Sequence, residues 1–479
     1  MEFSLLYNEC IVSKNKTDYD VFINSGLTAI LSDATINILR VPCKIEEIME
    51  RQQIFRALDD DVVYASFFEI SSLLAELNRL YVHLDKLESK LQINLVFAKI
   101  LKKQLDIIDC ILLLPGSSKL ITTLQENINI VKNNLDEHHE QISTYFELSS
   151  SISEFSISAQ NGGAKFSKMV PARTILDEIS LCCEKLGVPI SNKDKSSYDT
   201  IGQTEQYINA LFEIETTKMD DLRVLISQII YRNIVELKTD IDFYLEIKGI
   251  IDKVKTKGIP ICFPDISRTI ELHADEMYYL NFILDKEMRD VVPNDVHATT
   301  QDNVFFITGA NGGGKTSYIR MIISNLILFL AGCPILCKNA RIYPFEHVFS
   351  HFPANEQSYG KGRFYEEVER AKRIVSVANA RTVIFFNETF SGTNEDLAQK
   401  HALEIMGQLK SIGAVVFFVT HFSPDPEKDI PILAAVVNIF EDNKRTYKIK
   451  RIDTASASYA QDILKKYGLD EDSLRLLML

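Results

Sequence analysis

One stretch of eight residues constrains this chain more than any other: Gly309-Ala310-Asn311-Gly312-Gly313-Gly314-Lys315-Thr316. An apolar run, Val304-Phe305-Phe306-Ile307-Thr308, leads into it, and Ser317-Tyr318-Ile319-Arg320-Met321-Ile322-Ile323 leads away. The pattern G-x-x-x-x-G-K-[ST] between a strand and a helix is that of a loop that wraps a phosphate chain. Glycines let backbone N–H groups approach phosphate oxygens without Cβ clashes. A helix N-terminus adds partial positive charge at the same spot. The cradle then comprises Gly309, Asn311, Gly312, Gly313, Gly314 and Ser317, with Lys315 reaching the β- and γ-phosphates and the Thr316 hydroxyl ligating Mg²⁺. A glycine-rich strand–helix turn without a ligand is the bland alternative.

A second set of residues follows in the order such a site requires. Arg381-Thr382-Val383-Ile384-Phe385-Phe386 reads as a buried strand ending in Asn387-Glu388. Ligands sit at the carboxyl ends of parallel strands, where a carboxylate facing the γ-phosphate can orient or deprotonate the attacking water. Glu388 is the candidate for that role, and Asn387 supports the Mg²⁺ shell through an amide oxygen that brings no charge. Ser391-Gly392-Thr393-Asn394 opens a further helix, with Asn394 as its N-cap. A second apolar strand, residues 414–419, ends in Thr420-His421, which places His421 to contact the γ-phosphate. Earlier in the chain, Ser358-Tyr359-Gly360-Lys361-Gly362-Arg363-Phe364-Tyr365-Glu366-Glu367 reads either as a flexible loop before an amphipathic helix or as a glycine-bearing helix start that approaches a phosphate. Phe364 and Glu367 share one face of that helix.

The 479 residues imply about two to four domains. A hydrophobic share of 46% and a charged share of 25% describe a globular chain. The net charge of −14 argues against a protein coated in basic surface, but a local basic groove remains compatible with it. Eight cysteines without a second zinc-finger-spaced pair read as free thiols. No signal peptide is visible. The most membrane-like run, Ile319 to Leu336, is broken by Arg320, Ser324, Asn325, Gly332 and Pro334 and reads as a buried helix. The expectation is a cytoplasmic protein with no membrane association.

Domain organisation follows from texture. Residues 1–60 lead into a core, with a helix starting after Pro42. Residues 61–256 are helical by periodicity: Leu73, Leu74, Leu77, Leu80, Leu84, Leu87 and Leu91 recur at three- and four-residue steps, and a second helix spans about Lys119 to Leu148. Long antiparallel levers and an ordinary helical bundle both fit that spacing. Ser149 to Lys168 reads as a loop or hinge, or as the tip of an inserted module, and residues 191–197 as another loop. From Gly258 onward strands and helices alternate, which assigns residues 257–479 to a doubly wound α/β P-loop domain.

Taken together, these motifs resemble the ATPase of the MutS family of DNA mismatch-repair proteins. Gly309 to Thr316 is similar to its G-P-N-x-G-G-K-[ST] loop, Gly362 to Glu367 to its S-x-F-x-x-E signature, Asn387 to Thr393 to its D-E-x-x-x-G-T, and Val419-Thr420-His421 to its A-T-H. Val292-Pro293-Asn294-Asp295, Ser458-Tyr459-Ala460 and the segment from Pro42 to Gln53 also resemble family sequences. The likeness is strong from about residue 285 onward and weak before it. Glycine replaces the signature serine at Gly362, asparagine replaces the Walker B aspartate at Asn387, and no aromatic stands near Val291, where the family often stacks one on adenine.

The resemblance implies an ABC-type ATPase domain, ATP and Mg²⁺ as cofactors, Lys315, Glu388 and His421 as catalytic residues, and Thr316 and Asn387 as metal-supporting ones. It implies a homodimer in which Gly362 and Phe364 complete the partner's nucleotide site. It also implies double-stranded DNA and further repair proteins as partners, and association with the nucleoid in a bacterium. The start of the core at about residue 40 leaves no room for the family's mismatch-sensing domain, and the C-terminus none for a nuclease. Phe67-Phe68-Glu69 matches the letters of the sensor's F-x-E motif but reads as helix. Lys99, Lys102 and Lys103 are either a DNA-contacting cluster or a solvated helix face. Two other functions stay open: an ABC-type motor acting on a protein partner, and a structural clamp that binds ATP and barely hydrolyses it.

Overall fold

A computed structural model of the protein describes residue 4 and residues 16–153, 155–160, 163–168, 212–285, 290–352, 361–390, 395–420, 430–438 and 444–452. The chain forms two compact units, Met1–Leu5 with Asp60–Asp242 and Leu6–Asp59 with Phe243–Leu479. Three helices of the second unit come first: α1 (Tyr19–Ser25), α2 (Asp33–Leu39) and α3 (Ile45–Ala57). Glu47, in the third position of α3, accepts a hydrogen bond from the Lys44 backbone N–H at 3.0 Å, which satisfies a donor the helix leaves open.

The first unit is built from α4 (Asp61–Leu84), α5 (Lys90–Leu112), α6 (Lys119–Glu137), α7 (His139–Ser153), strands β1 (Phe155–Gln160) and β2 (Gly163–Lys168), α8 (Glu213–Ser227) and the start of α9 (Leu237–Lys255). The helical stretch marked by Leu73 to Leu91 is two helices, because Ser89 caps a new one by accepting from Gln92 N. The helix expected from Lys119 to Leu148 is likewise interrupted at His138, whose backbone leaves the helical region. Buried Asn94 joins three elements: it donates to Asp220 on α8 at 2.9 Å, and its side-chain oxygen accepts from Arg223 on α8 at 3.0 Å and from Tyr145 on α7 at 3.2 Å.

The segment read as a loop from Ser149 to Lys168 is corrected. Helix α7 continues to Ser153, and β1 and β2 then pair antiparallel from Phe155↔Lys168 to Gln160↔Gly163. Phe67 and Phe68 both lie on α4, Phe67 fully buried and Phe68 64% exposed, so the letters of the sensor motif sit on a helix. Within the lysine cluster of α5, Lys103 is paired with Glu76 at 2.8 Å, while Lys99 and Lys102 face solvent. The loop at 191–197 lies outside the described residues.

The second unit continues with β3 (Asp265–Ile266), β4 (Glu271–Met277), α10 (Leu280–Leu284), β5 (Asn294–Thr299), β6 (Val304–Thr308), α11 (Lys315–Leu330), β7 (Asn339–Ile342), β8 (His347–His351), α12 (Lys361–Val377), β9 (Thr382–Asn387), α13 (Glu395–Ile412), β10 (Val415–Val419), β11 (Ile432–Asn438) and β12 (Lys444–Ile452). Six strands form one sheet in the order β12-β11-β6-β10-β9-β8, parallel apart from the antiparallel β11–β12 pair. A smaller sheet runs β3-β7-β4-β5.

A repeated dipeptide organises the large sheet. Strands β6, β10 and β9 each carry Phe-Phe in the same register, Phe305↔Phe417↔Phe385 and Phe306↔Phe418↔Phe386. Alternation along each strand sends the two rows to opposite faces. On one face the rings stack, with Phe305–Phe417 at 5.2 Å and Phe417–Phe385 at 5.6 Å between centroids. On the other, Phe306, Phe418 and Phe386 enter a core with Ala371 of α12 and Ala402, Met406 and Leu409 of α13. Buried aromatic pairs of this kind contribute about 0.5–1.5 kcal/mol each beyond area burial, so the rows lock the register that aligns the strand ends.

Helix α11 is buried along nearly all its length, which accounts for its apolar sequence. Its buried Ser324 and Asn325 are hydrogen-bonded inside the fold. Asn325 donates to the Tyr278 carbonyl and accepts from Leu336 N, both at 2.9 Å. Fully buried Arg51 of α3 donates to the Ala331 carbonyl at 3.1 Å, just past the helix end. Among the described residues no helix is long and apolar enough to cross a membrane.

Candidate functional site

The parallel strands bring their carboxyl ends level: Ile307 of β6 pairs with Val419 of β10, which pairs with Asn387 of β9. Residues that follow these strands therefore meet at one edge although some 70 positions separate them in sequence. The loop after β6 turns through Gly314 at φ 95°, a conformation glycine takes without the Cβ penalty. At Gly313 the reason for glycine is space, since a Cβ would stand 2.9 Å from the Ala310 carbonyl oxygen and 2.9 Å from Ala435 Cβ.

Lys315 opens α11 and is buried; its Nζ donates to the Gly309 carbonyl at 2.7 Å and to the Ala310 carbonyl at 3.1 Å. Burial pulls the ammonium pKa down, and the nearby Glu388 carboxylate pulls it back up. The Thr316 hydroxyl donates to Asn387 Oδ1 at 3.2 Å, so the two residues assigned to Mg²⁺ touch. Glu388 sits at φ 51°, with its N–H donated to the Val419 carbonyl at 3.0 Å. A non-glycine residue at positive φ costs of the order of 1 kcal/mol and persists only where neighbours fix it.

Those neighbours are identifiable. Thr389 Oγ1 lies 2.9 Å from Nδ1 of His351, at the end of β8. Burial, followed by the charge of Arg370, lowers the pKa of His351 to about 4, so the ring is neutral at physiological pH. Phe390, itself at φ 72°, donates its N–H to the buried Glu367 carboxylate at 2.8 Å. Phe364 packs edge-on against Phe390, with ring centroids 6.1 Å apart. Phe364 and Glu367 of α12 thus brace the segment that carries Glu388.

A cavity of about 640 Å³ opens here, lined among others by Asn311, Gly312, Gly314, Lys315, Thr316, Ser317 and Glu388. Three aromatic residues also line it, Tyr279, Phe282 and Tyr447, and Tyr447 stands against the loop, 3.7 Å from where a Cβ on Gly314 would lie. Val291 also lines it, and the flat faces that position lacks come from elsewhere in the chain. Tyr447 is the third non-glycine residue at positive φ here, after Glu388 and Phe390, at φ 56°. Asn294 holds it in place, donating to the Tyr447 carbonyl at 3.1 Å and accepting from Ile449 N at 2.7 Å. Arg445 of β12 stands over the loop, since a Cβ at Gly312 would lie 2.5 Å from its Nη1. Sequence reasoning missed Tyr447 and Arg445, because only the β12 pairing brings that strand to the loop.

Of the residues assigned from sequence, the structure brings Gly309, Asn311, Gly312, Gly313, Gly314, Lys315, Thr316, Ser317, Asn387 and Glu388 to this one edge. Phe364 belongs to the core cluster behind it. Gly362 lies in the first turn of α12. His421, Asn394 and the segment Ser458-Tyr459-Ala460 lie outside the described residues.

Comparison with known proteins agrees with this geometry. The family model of MutS domain V matches residues 305–469, which hold the phosphate loop, the Glu388 strand and the three strands that follow. Among curated proteins, the DNA mismatch repair protein MutS of Lactococcus lactis subsp. cremoris is 25% identical over 301 residues, 60% of this chain and 33% of its own length. Over this region the chain is similar to MutS proteins. A second MutS, from Caldicellulosiruptor saccharolyticus, is 28% identical over 194 residues, 38% of this chain and 22% of its own length. The DNA mismatch repair protein MSH6 of Saccharomyces cerevisiae is 27% identical over 140 residues, 28% of this chain and 11% of its own length. The matched region thus spans at most about a third of these MutS relatives.

Proposed function

We propose that this chain is a MutS-family protein that binds ATP with Mg²⁺, hydrolyses it at composite sites of a homodimer, and couples the nucleotide state to clamping on double-stranded DNA in mismatch repair or a related repair or recombination process. The observation that carries the reading is the meeting of Lys315, the Thr316–Asn387 pair and Glu388 at one edge of a cavity also lined by aromatic residues. Lys315 and Arg445 supply positive charge for phosphates, Thr316 and Asn387 would hold the Mg²⁺ shell, and Glu388 would take the proton of the attacking water. Mg²⁺ would screen the β- and γ-phosphate charge. His421 is proposed as the γ-phosphate sensor, and Gly362 as the point where one protomer approaches its partner's nucleotide. The relatives' names, DNA mismatch repair proteins, support DNA as the partner.

Two measurements test this. Steady-state hydrolysis is expected to need Mg²⁺ and to change when duplex DNA is added. Gel shifts on homoduplex, mismatched and branched DNA are expected to show binding that weakens with salt as counterions re-associate. Loss of all DNA binding at low salt would instead favour an ATP-driven machine acting on a protein partner, a reading in keeping with the net charge of −14. Normal ATP binding with no turnover would favour the clamp with little hydrolysis, which the uncharged Asn387 makes the third reading.

The aromatic wall gives a sharper expectation. Base–aromatic stacking is worth about 1–3 kcal/mol, so Tyr447→Ala should weaken ATP binding by about tenfold. Binding of inorganic triphosphate, which has no base, should be unchanged. Equal weakening of both ligands would assign Tyr447 to the loop's shape rather than to the base.

A further inference from the structure

On the outer face of the small sheet, away from the nucleotide edge, three side chains of metal-binding type converge. Antiparallel pairing of β4 and β5 sets His273 directly opposite His297. Asp275, two residues along β4, shares that face through the strand's alternation. The two Nδ1 atoms are 2.8 Å apart and the ring centroids 4.4 Å. Asp275 Oδ2 lies 3.5 Å from His273 Nε2, and its Oδ1 3.9 Å from His297 Nε2. One ligand atom from each of the three falls within 4.8 Å of the others.

We propose that His273, His297 and Asp275 form a binding site for one zinc-class divalent cation, distinct from the Mg²⁺ of the nucleotide. Tetrahedral zinc with bonds of about 2.0–2.2 Å needs donor atoms about 3.3 Å apart. One donor atom from each residue already falls within 4.8 Å of the other two, and partly exposed rings on a fixed backbone close to the tetrahedral spacing by side-chain rotation. Two imidazoles with one carboxylate select zinc, nickel or copper over magnesium and calcium, which take oxygen donors. The cations bordering the face are engaged elsewhere: Arg341, opposite His273 on β7, lies 3.5 Å from Glu271, and Lys338 lies 3.4 Å from Glu276. Side-chain exposures of 38%, 36% and 54% for His273, Asp275 and His297 leave the fourth position open to water or an exchangeable ligand.

Position gives the ion a structural effect. It would fasten β4 to β5 beside the register irregularity between Ala274 and Met277. Strand β5 turns its other face inward with Asn294, the residue that holds Tyr447. The Asp295 carbonyl accepts from Tyr318 of α11 at 2.9 Å. Fastening β5 therefore steadies the aromatic wall without adding a ligand to the nucleotide.

The test uses the full chain, stripped with a chelator and titrated with zinc alone against a chromogenic competitor. One equivalent is expected to bind, to survive excess magnesium, and to raise the thermal unfolding temperature. Loss of an outer-shell partner already weakens metal sites about 10–100-fold, so His297→Ala and Asp275→Asn, which remove a ligand outright, should each lose at least about tenfold in affinity. Both variants should unfold at the parent's temperature without zinc, which separates loss of the ion from loss of the fold. Cobalt in the parent should give tetrahedral bands without thiolate charge transfer. No zinc uptake by the parent, equal uptake by the variants, or a thiolate band would each overturn the assignment.

Discussion

Glu388→Gln is expected to reduce ATP turnover by about 10²- to 10⁴-fold, the range for removing a positioned general base, and to leave ATP binding intact. Glutamine has the same shape, so it can keep the positive-φ backbone of position 388 and the N–H···O bond to Val419. What disappears is the carboxylate's capacity to accept a proton. The same change removes a negative charge close to Lys315, so affinity for the anionic triphosphate should stay level or tighten. Single-turnover hydrolysis beside a fluorescent-nucleotide titration separates the two effects. Turnover like that of the parent would reject Glu388 as the base and leave the water to another group.

That prediction draws on parts of the protein with unequal legibility. The phosphate loop could be read because its determinants are local: glycines, a lysine and a hydroxyl within eight positions, flanked by strand and helix. Asn387 and Glu388 could be read because a run of buried strand residues ends on them, and parallel strands present such ends together. The bracing of Glu388 was less visible. Its positive φ and its links through Thr389 to His351 and through Phe390 to Glu367 depend on three elements meeting in space. The aromatic wall was hidden for a similar reason. Tyr447 is more than 130 residues past the loop and reaches it through the β11–β12 pairing and the two bonds of Asn294.

Elsewhere the sequence carried a signal that helical periodicity obscured. The dipeptide Asn161-Gly162 stands between the two strands of the β1–β2 hairpin, a composition that favours a tight two-residue turn. Reading the stretch as glycine- and serine-rich loop overlooked it. The long helical runs were misjudged differently. Apolar spacing continues across Asp85 to Ser89 and across His138, but Ser89 starts a new helix by capping it and His138 leaves helical geometry. Periodicity reports which face is buried and does not register where hydrogen bonding stops.

Lys315→Ala should abolish the nucleotide response of the protein while sparing its fold. A hydrogen bond to a charged group is worth about 1.5–3 kcal/mol. An ammonium that bridges two phosphates would therefore supply about 3–6 kcal/mol, and its loss should weaken ATP by roughly 10²- to 10⁴-fold. The unliganded chain has less to lose. There the buried Nζ is bonded to its own loop's carbonyls, and desolvation already disfavours its charge. The measurement is thermal unfolding with and without ATP and Mg²⁺. A ligand at 100 times its Kd stabilises a protein by about 2.7 kcal/mol, so the parent and Glu388→Gln should both shift upward. Lys315→Ala should unfold near the parent's unliganded temperature and fail to shift. A retained shift would mean that the triphosphate is held without this lysine, and would reject Lys315 as its main phosphate contact.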